Sequence, residues 1–270
     1  MLDHQHLPEA NRLSVLAATI LLAYAAARFV DLPAREIAAQ LPGIYLSVEI
    51  NFRTIVALMV AGLTASGAHW LLRDHPGLKG RSTFQHWLLP ALTAWVIAAP
   101  LYRFPLGLEW LASFAIGGAL LMLVLLAEYI VVDAADQRYA LATAGLTAVS
   151  FALFLMLAIT LHSAGIRLFQ LLIALTLSAG LVCLRTLHLR LQGKWAFLES
   201  AALALVVAQL TAALHYWPLF PIAFGLALLG PAYALTSLVG ALSEGDTFRH
   251  ALIEPVIVLS VVWSTALWTS

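Results

Sequence analysis

The sequence gathers its charged and hydrogen-bonding side chains in a few short stretches. The densest is SVEINFRT at residues 47–54, which places Glu49, Asn51 and Arg53 directly before a long apolar run. A glutamate can act as a base, and an arginine donates paired hydrogen bonds to a phosphate. Either a helix or an extended chain brings Glu49 within reach of Arg53. The stretch is therefore a candidate reacting site, an ion pair, or only the polar end of a membrane helix.

A second stretch, HWLLRD at residues 69–74, has the spacing H-x4-D. It resembles the motif of the glycerolipid acyltransferases, and the resemblance implies His69 as a base that Asp74 orients. Those enzymes carry the motif on a soluble α/β domain, whereas here it follows an apolar run. A helix end with polar groups at the membrane surface is the alternative interpretation.

The histidines offer a third kind of chemistry, because imidazoles ligate haem and pigments. His69 and His188 are predicted on one side of a membrane, and His162 and His215 on the other. Membrane di-haem cytochromes resemble this, but they carry two histidines on each of two helices, and no helix here does so. We therefore expect no cofactor, with haem or a pigment as the exception.

Common catalytic and metal-binding motifs do not occur in this chain. We find no HExxH, GxSxG, P-loop or DDxxD pattern. The single cysteine, Cys183, excludes a disulfide within the chain and a multi-cysteine metal site. The sequence thus predicts no metal site and carries no recognisable catalytic signature.

The surrounding sequence predicts a membrane protein. It is 62% hydrophobic and 10% charged, and its apolar residues fall in runs of about 20, which is the length of a bilayer-spanning helix. All connections are short, so we predict an all-α polytopic membrane bundle forming one domain over residues 1–270. The nine predicted spans are 13–30, 54–73, 84–102, 107–132, 140–162, 166–188, 195–217, 219–242 and 250–269.

The longest connection, residues 31–53, is expected to lie at the outer membrane surface. Residues 33–40 predict a short amphipathic helix, followed by an apolar stretch. Most of the 14 lysine and arginine residues fall on the side of the N-terminus, so we expect that end in the cytoplasm and the C-terminus outside. The inner membrane of a prokaryote is the expected location.

Predicted depth sorts the polar residues into two clusters and leaves no charge at the midplane. This absence argues against an ion-coupled pump, and it favours an interfacial ion pair for Glu49 with Arg53. The candidate outer cluster comprises Glu49, Asn51, Arg53, Arg103, Glu109, His162, Arg167 and His215. The candidate inner cluster comprises His69, Arg73, Glu128, Arg185, His188, Glu199 and Glu254.

Two prolines give one architectural indication of transport. Pro90 and Pro231 occupy the third span of each half of the chain, on either side of the fifth span. Paired broken helices mark the binding site in carriers built from inverted repeats. Ordinary proline kinks are the alternative.

Three functions are consistent with these patterns. The first is a carrier of a small or lipophilic solute, or a subunit of a membrane assembly. The second is an enzyme that acts on a lipid or isoprenoid phosphate at the outer interface, with Glu49 as the base and Arg53 and Arg167 on the phosphate. The third is a haem- or pigment-binding subunit. Membrane lipids and other membrane subunits are the expected partners, and nucleic acid is not, because the basic residues are scattered.

Overall fold

A computed structural model of the chain describes residues 10–30, 35–41, 44–50, 52–78, 82–191 and 193–269. Short 3-10 turns at Pro76–Leu78 and Phe84–His86 lie between the second and third helices. The helices are α1 Ala10–Ala27, α2 Phe52–Leu72, α3 Leu88–Arg103, α4 Leu108–Ile130, α5 Tyr139–Ser163, α6 Leu168–Arg190, α7 Phe197–His215, α8 Pro221–Ser243, α9 Phe248–Ala251 and α10 Ile253–Trp268. The two strands are β1 Arg35–Leu41 and β2 Ile44–Ile50.

The predicted class, a helical membrane bundle, is confirmed. Each of the nine predicted spans contains a helix, and seven of the helical segments described are long and apolar enough to cross a bilayer. The seventh of these is the combined segment Phe248–Trp268, which covers α9 and α10. The other two predicted spans are the shorter helices α1 and α3, with 18 and 16 residues.

The connection between α1 and α2 differs from the expected amphipathic helix. The two strands pair antiparallel, with Arg35 opposite Ile50 and Leu41 opposite Ile44. The predicted helix is therefore wrong over residues 35–40. In IYLSVEI, the sequence of β2, apolar and polar residues alternate, and that period of two is typical of a strand rather than a helix.

Three glycines end helices at predicted breaks. Gly165, Gly193 and Gly245 follow α5, α6 and α8, and their φ angles are 62°, 93° and 94°. This left-handed backbone is the usual helix stop, because glycine has no Cβ to clash there. The backbone N–H of Gly193 donates to the oxygen of His188 at 2.9 Å, which satisfies one of the last carbonyls of α6.

The two prolines do not form a pair of broken helices. Pro90 is the third residue of α3, where a backbone N–H has no partner within the helix, so its absence costs nothing. Pro231 lies inside α8, which continues through it. The indication of an inverted-repeat carrier from these prolines is therefore not supported.

The chain packs as two compact units, Met1–Tyr139 and Ala140–Ser270. In the first unit, α1 to α4 surround a core that includes Ile20, Leu72, Ala94 and Leu121. In the second unit, α6 and α7 enclose a smaller core against which side chains of α8 pack. A single domain over residues 1–270 remains a prediction.

Candidate functional site

The first unit holds a buried acid–imidazole pair at the end of α4. Glu128 is 1% exposed, and its Oε2 lies 2.7 Å from Nδ1 of His86, which is 5% exposed. Residues 127–131 are buried one after another, so this end of α4 faces protein on every side. A buried carboxylate is stable only with such a partner, because burial removes it from water.

The 3-10 turn that carries His86 is fixed by a second hydrogen-bonded group. Nδ1 of His69 lies 2.7 Å from the hydroxyl oxygen of Thr83, and Nε1 of Trp87 donates to that oxygen at 3.1 Å. Since the oxygen accepts from Trp87, the hydroxyl proton is available to His69. The turn is thereby tied to the end of α2.

His75, in the loop after α2, is held by a backbone hydrogen bond and a ring contact. The backbone N–H of Gly77 donates to its Nδ1 at 2.9 Å. The ring packs edge-on against Tyr129 of α4, with centroids 4.4 Å apart. Polar loop residues therefore close over the end of α4, where Glu128 lies.

The acyltransferase-like stretch does not assemble its implied pair. Oδ2 of Asp74 accepts a hydrogen bond from Nη1 of Arg12 at 2.6 Å, whereas Nδ1 of His69 faces Thr83. The Arg12 guanidinium holds the pKa of the Asp74 carboxyl below its usual range. Asp74 is exposed and pairs with α1, so the geometry does not support a base oriented by Asp74.

In the second unit, the last third of α6 is buried all round although it carries polar side chains. Residues 182–189 are buried without interruption, and Arg185 is only 1% exposed. Sγ of Cys183 lies 3.1 Å from the Thr236 hydroxyl of α8. The His188 ring packs on Trp195, with centroids 4.3 Å apart. This part of α6 therefore lies in the bundle interior.

One face of α8 is polar, and sequence reasoning overlooked it. Tyr233, Ser237, Gly240 and Glu244 follow steps of four, three and four residues, which places them on one helix face. The missed signal was this spacing within an apolar run. Arg190, from the end of α6, was also not singled out as a candidate.

Arg190 lies along this face and is fully engaged. Its Nε and Nη2 donate to the two carboxylate oxygens of Glu244 at 2.7 and 3.0 Å. Its Nη1 donates to the backbone oxygen of Ser237 at 3.1 Å. A Cβ at position 240 would lie 2.6 Å from Cδ of Arg190, so Gly240 makes room for the arginine.

Tyr233, on the same face of α8, contacts Glu254 of α10. The Tyr233 hydroxyl donates to Oε1 of Glu254 at 2.7 Å, and Nε1 of Trp263 donates to the Ala227 backbone oxygen at 3.3 Å. Tyr233 precedes Ser243, the last residue of α8, by ten positions, which is about 15 Å of helix. Glu254 itself lies in the first turn of α10. Its predicted position near the inner interface stays a prediction.

The other inner candidates are exposed. His69, Arg73 and Glu199 have accessible side chains, and Glu199 lies in the first turn of α7. Of the inner cluster, Glu128, Arg185 and His188 are buried. The structure thus divides a cluster that the sequence grouped by depth alone.

The outer candidates lie at helix ends. Arg103 ends α3, Glu109 lies in the first turn of α4, and Arg167 precedes α6; all three are exposed. His162 stacks on Phe224 with ring centroids 4.0 Å apart, and His215 ends α7.

The polar stretch at residues 47–54 is only partly described. Glu49 lies in β2 and Arg53 in the first turn of α2, but their side chains and the whole of Asn51 lie outside the described structure. The ion pair between Glu49 and Arg53 stays a prediction.

No three His, Cys, Asp or Glu side chains in the described ranges come together as a metal site. A protein family described as a protein of unknown function (DUF5656) matches residues 32–269. The chain belongs to this family. No curated protein and no solved structure is detectably similar to it. The DUF5656 match begins after α1 and includes both the His86–Glu128 pair and the polar face of α8.

Proposed function

We propose that this protein is a membrane carrier whose solute moves in a process linked to protons. The observation that supports this is the Glu254 carboxylate, which lies within the span Phe248–Trp268 and is hydrogen-bonded to Tyr233 near the middle of α8. An ionisable residue inside a membrane span is costly, and it usually marks a pathway for ions, protons or substrate. The sequence argued against an ion-coupled pump because no charge is predicted at the membrane midplane.

Arg190 pairs with only one of the two carboxylates near it. Arg190 contributes one positive charge and is paired with Glu244 through both carboxylate oxygens. Glu254 lies within electrostatic range of Arg190 but forms no ion pair with any residue that the structure describes. In a membrane of low dielectric, an unpaired carboxylate takes up a proton or a cation. Such exchange is the chemistry that a proton-linked carrier requires.

Proton-linked movement can be tested in liposomes that contain the purified protein and a trapped pH-sensitive dye. We expect at least one solute from a panel of small and lipophilic compounds to change the internal pH. Glu254→Gln removes the titrating group and should abolish that change. Glu199→Gln, which alters an exposed carboxylate at a helix start, is the matched control and should retain it. The proposal fails if no solute moves protons with the wild-type protein.

A subunit of a larger membrane assembly is the second candidate. Its support is α10, whose span is the least buried of the seven in the described chain. A helix with so little protein contact is available to a neighbouring subunit. Cross-linking in native membranes, followed by mass determination, separates this function from a self-sufficient carrier.

The orientation in the membrane is proposed from the lysine and arginine distribution. The N-terminus is placed in the cytoplasm and the C-terminus outside, in a prokaryotic inner membrane. Reporter fusions that are active on only one side of the membrane test this at each terminus. Activity of a cytoplasmic reporter at the C-terminus would reverse it.

A further inference from the structure

We infer that the site around Glu254 binds a lipophilic organic cation, which competes there with a proton. The inference rests on the proposed carrier function and names the class of its solute. Three features of the second unit support it: a carboxylate with a free oxygen, an aromatic and apolar surround, and access from the lipid.

The carboxylate retains capacity for a cation. Oε1 of Glu254 accepts the Tyr233 hydroxyl at 2.7 Å, and among the described residues Oε2 has no hydrogen-bond donor. Glu254 is also exposed, although it lies within a membrane span. A ligand can therefore reach the second oxygen laterally through the bilayer.

The surround of the carboxylate suits an organic cation. The Tyr233 ring packs edge-on against Phe151, with centroids 5.1 Å apart, and Ile253 and Ile257 on α10 are 55% and 57% exposed. The half-buried Tyr233 ring beside the carboxylate offers an aromatic contact to a cation, and the isoleucines offer contact to hydrocarbon groups. Phe151 is itself buried and supports the Tyr233 ring. A calcium-like ion would need about six oxygen ligands, and the described site offers only the carboxylate and the phenol.

Other charged groups near the site do not occupy it. Arg190 of α6 is held by Glu244 of α8, and both carboxylate oxygens of that glutamate are used. On α9, Arg249 and His250 are exposed and form no ion pair within the described chain. Glu254 is thus a carboxylate that no cation of the described chain pairs with directly.

Binding exchanges one proton for one cation. When Glu254 starts as the neutral acid, the cation displaces the carboxyl proton, which leaves to water, and a carboxylate–cation pair remains. The charge of the site is zero before and after, which avoids a net charge within the membrane. Cation affinity should therefore fall as pH decreases, by about tenfold per pH unit once the carboxyl is mostly protonated.

Tetraphenylphosphonium, a lipophilic cation without hydrogen-bonding groups, is the probe. Purified protein in mild detergent is titrated with it in weakly buffered solution across a range of pH, and bound cation and released protons are both measured. We expect saturable binding that weakens at low pH and, below the carboxyl pKa, approaches release of one proton per cation. Glu254→Gln should weaken binding by at least about 30-fold and abolish the proton release.

Two further variants separate chemistry from folding. Glu254→Asp keeps the charge and should retain proton release, while Tyr233→Phe keeps the ring and should weaken binding only about fivefold. Glu199→Gln should bind like the wild-type protein. Unchanged affinity in Glu254→Gln, or binding that ignores pH, overturns the inference. If the probe does not bind but another solute still moves protons in liposomes, this inference fails and the proposed function stands; if both fail, both fall.

Discussion

Two glutamates in this protein, Glu128 and Glu254, lie within helical segments long and apolar enough to span a membrane. A carboxylate oxygen of each lies 2.7 Å from a hydrogen-bonding partner. Glu128 is 1% exposed and meets a histidine in a closed part of the first unit. Glu254 is exposed and meets a phenol on the open flank of α8 and α10 in the second unit. The two glutamates thus differ in role. The buried carboxylate of Glu128 stabilises the packing of the first unit, whereas the exposed carboxylate of Glu254 can exchange ligands.

The largest expected effect is the loss of stability when the buried Glu128–His86 pair is removed. Glu128→Ala leaves His86 buried beside a cavity, and we expect a loss of about 3 kcal/mol of stability. For a chain of this size, that lowers the apparent Tm in detergent by roughly 5–10 °C. Glu109→Ala removes an exposed carboxylate at the other end of α4 and is the control. We expect it to leave the apparent Tm almost unchanged.

Glu254→Ala completes this test, because it removes an exposed carboxylate from the membrane. We expect its Tm to equal or exceed that of the wild-type protein. If Glu254→Ala destabilises the protein as much as Glu128→Ala does, Glu254 also has a structural role, and the proposed difference between the two glutamates is contradicted.

A smaller effect tests how Arg190 is kept on Glu244, which leaves Glu254 unpaired. Gly240→Ala adds a Cβ 2.6 Å from Cδ of Arg190 and should lower stability by about 1 kcal/mol. Gly62→Ala places a Cβ in open space on α2 and should raise stability by up to about 1 kcal/mol through helix propensity. Thermal unfolding of both variants gives opposite signs if Arg190 lies where the structure has it, and equal stabilisation would contradict that position.

The smallest effect is expected at the Arg12–Asp74 pair, which neither site uses. The folded pKa of Asp74 is lowered, so its contribution is present above the ordinary pKa of an aspartate and is lost as pH falls through the folded value. The Tm of Asp74→Asn, measured as a function of pH, should therefore change with pH like that of the wild-type protein near neutral pH. Below the ordinary pKa of an aspartate, the Tm of the variant should fall less steeply than that of the wild-type protein. Identical declines below about pH 4 would show that the pair has no linkage to folding.

Helix positions were predictable because runs of apolar residues and breaks such as the one at Gly193 are local signals. The contact between Glu254 and Tyr233 was not, since it depends on how α10 packs beside α8. His86 lies at the start of the predicted span 84–102 and was not singled out as a candidate, yet packing buries it against Glu128. The polar face with Tyr233 and Glu244 was missed because its few polar residues, three or four positions apart, are separated by many leucines and alanines.

The polar, fully enclosed end of α6 has a consequence for biogenesis. When α6 leaves the ribosome, the partners that bury Cys183, among them α8, have not been synthesised. A segment with Arg185 and His188 near one end is a poor match for lipid by itself, so it needs shelter at the membrane insertion machinery until later helices arrive. A chain truncated after α6 should accordingly be a preferred substrate for membrane proteases, and one extended through α8 should escape them.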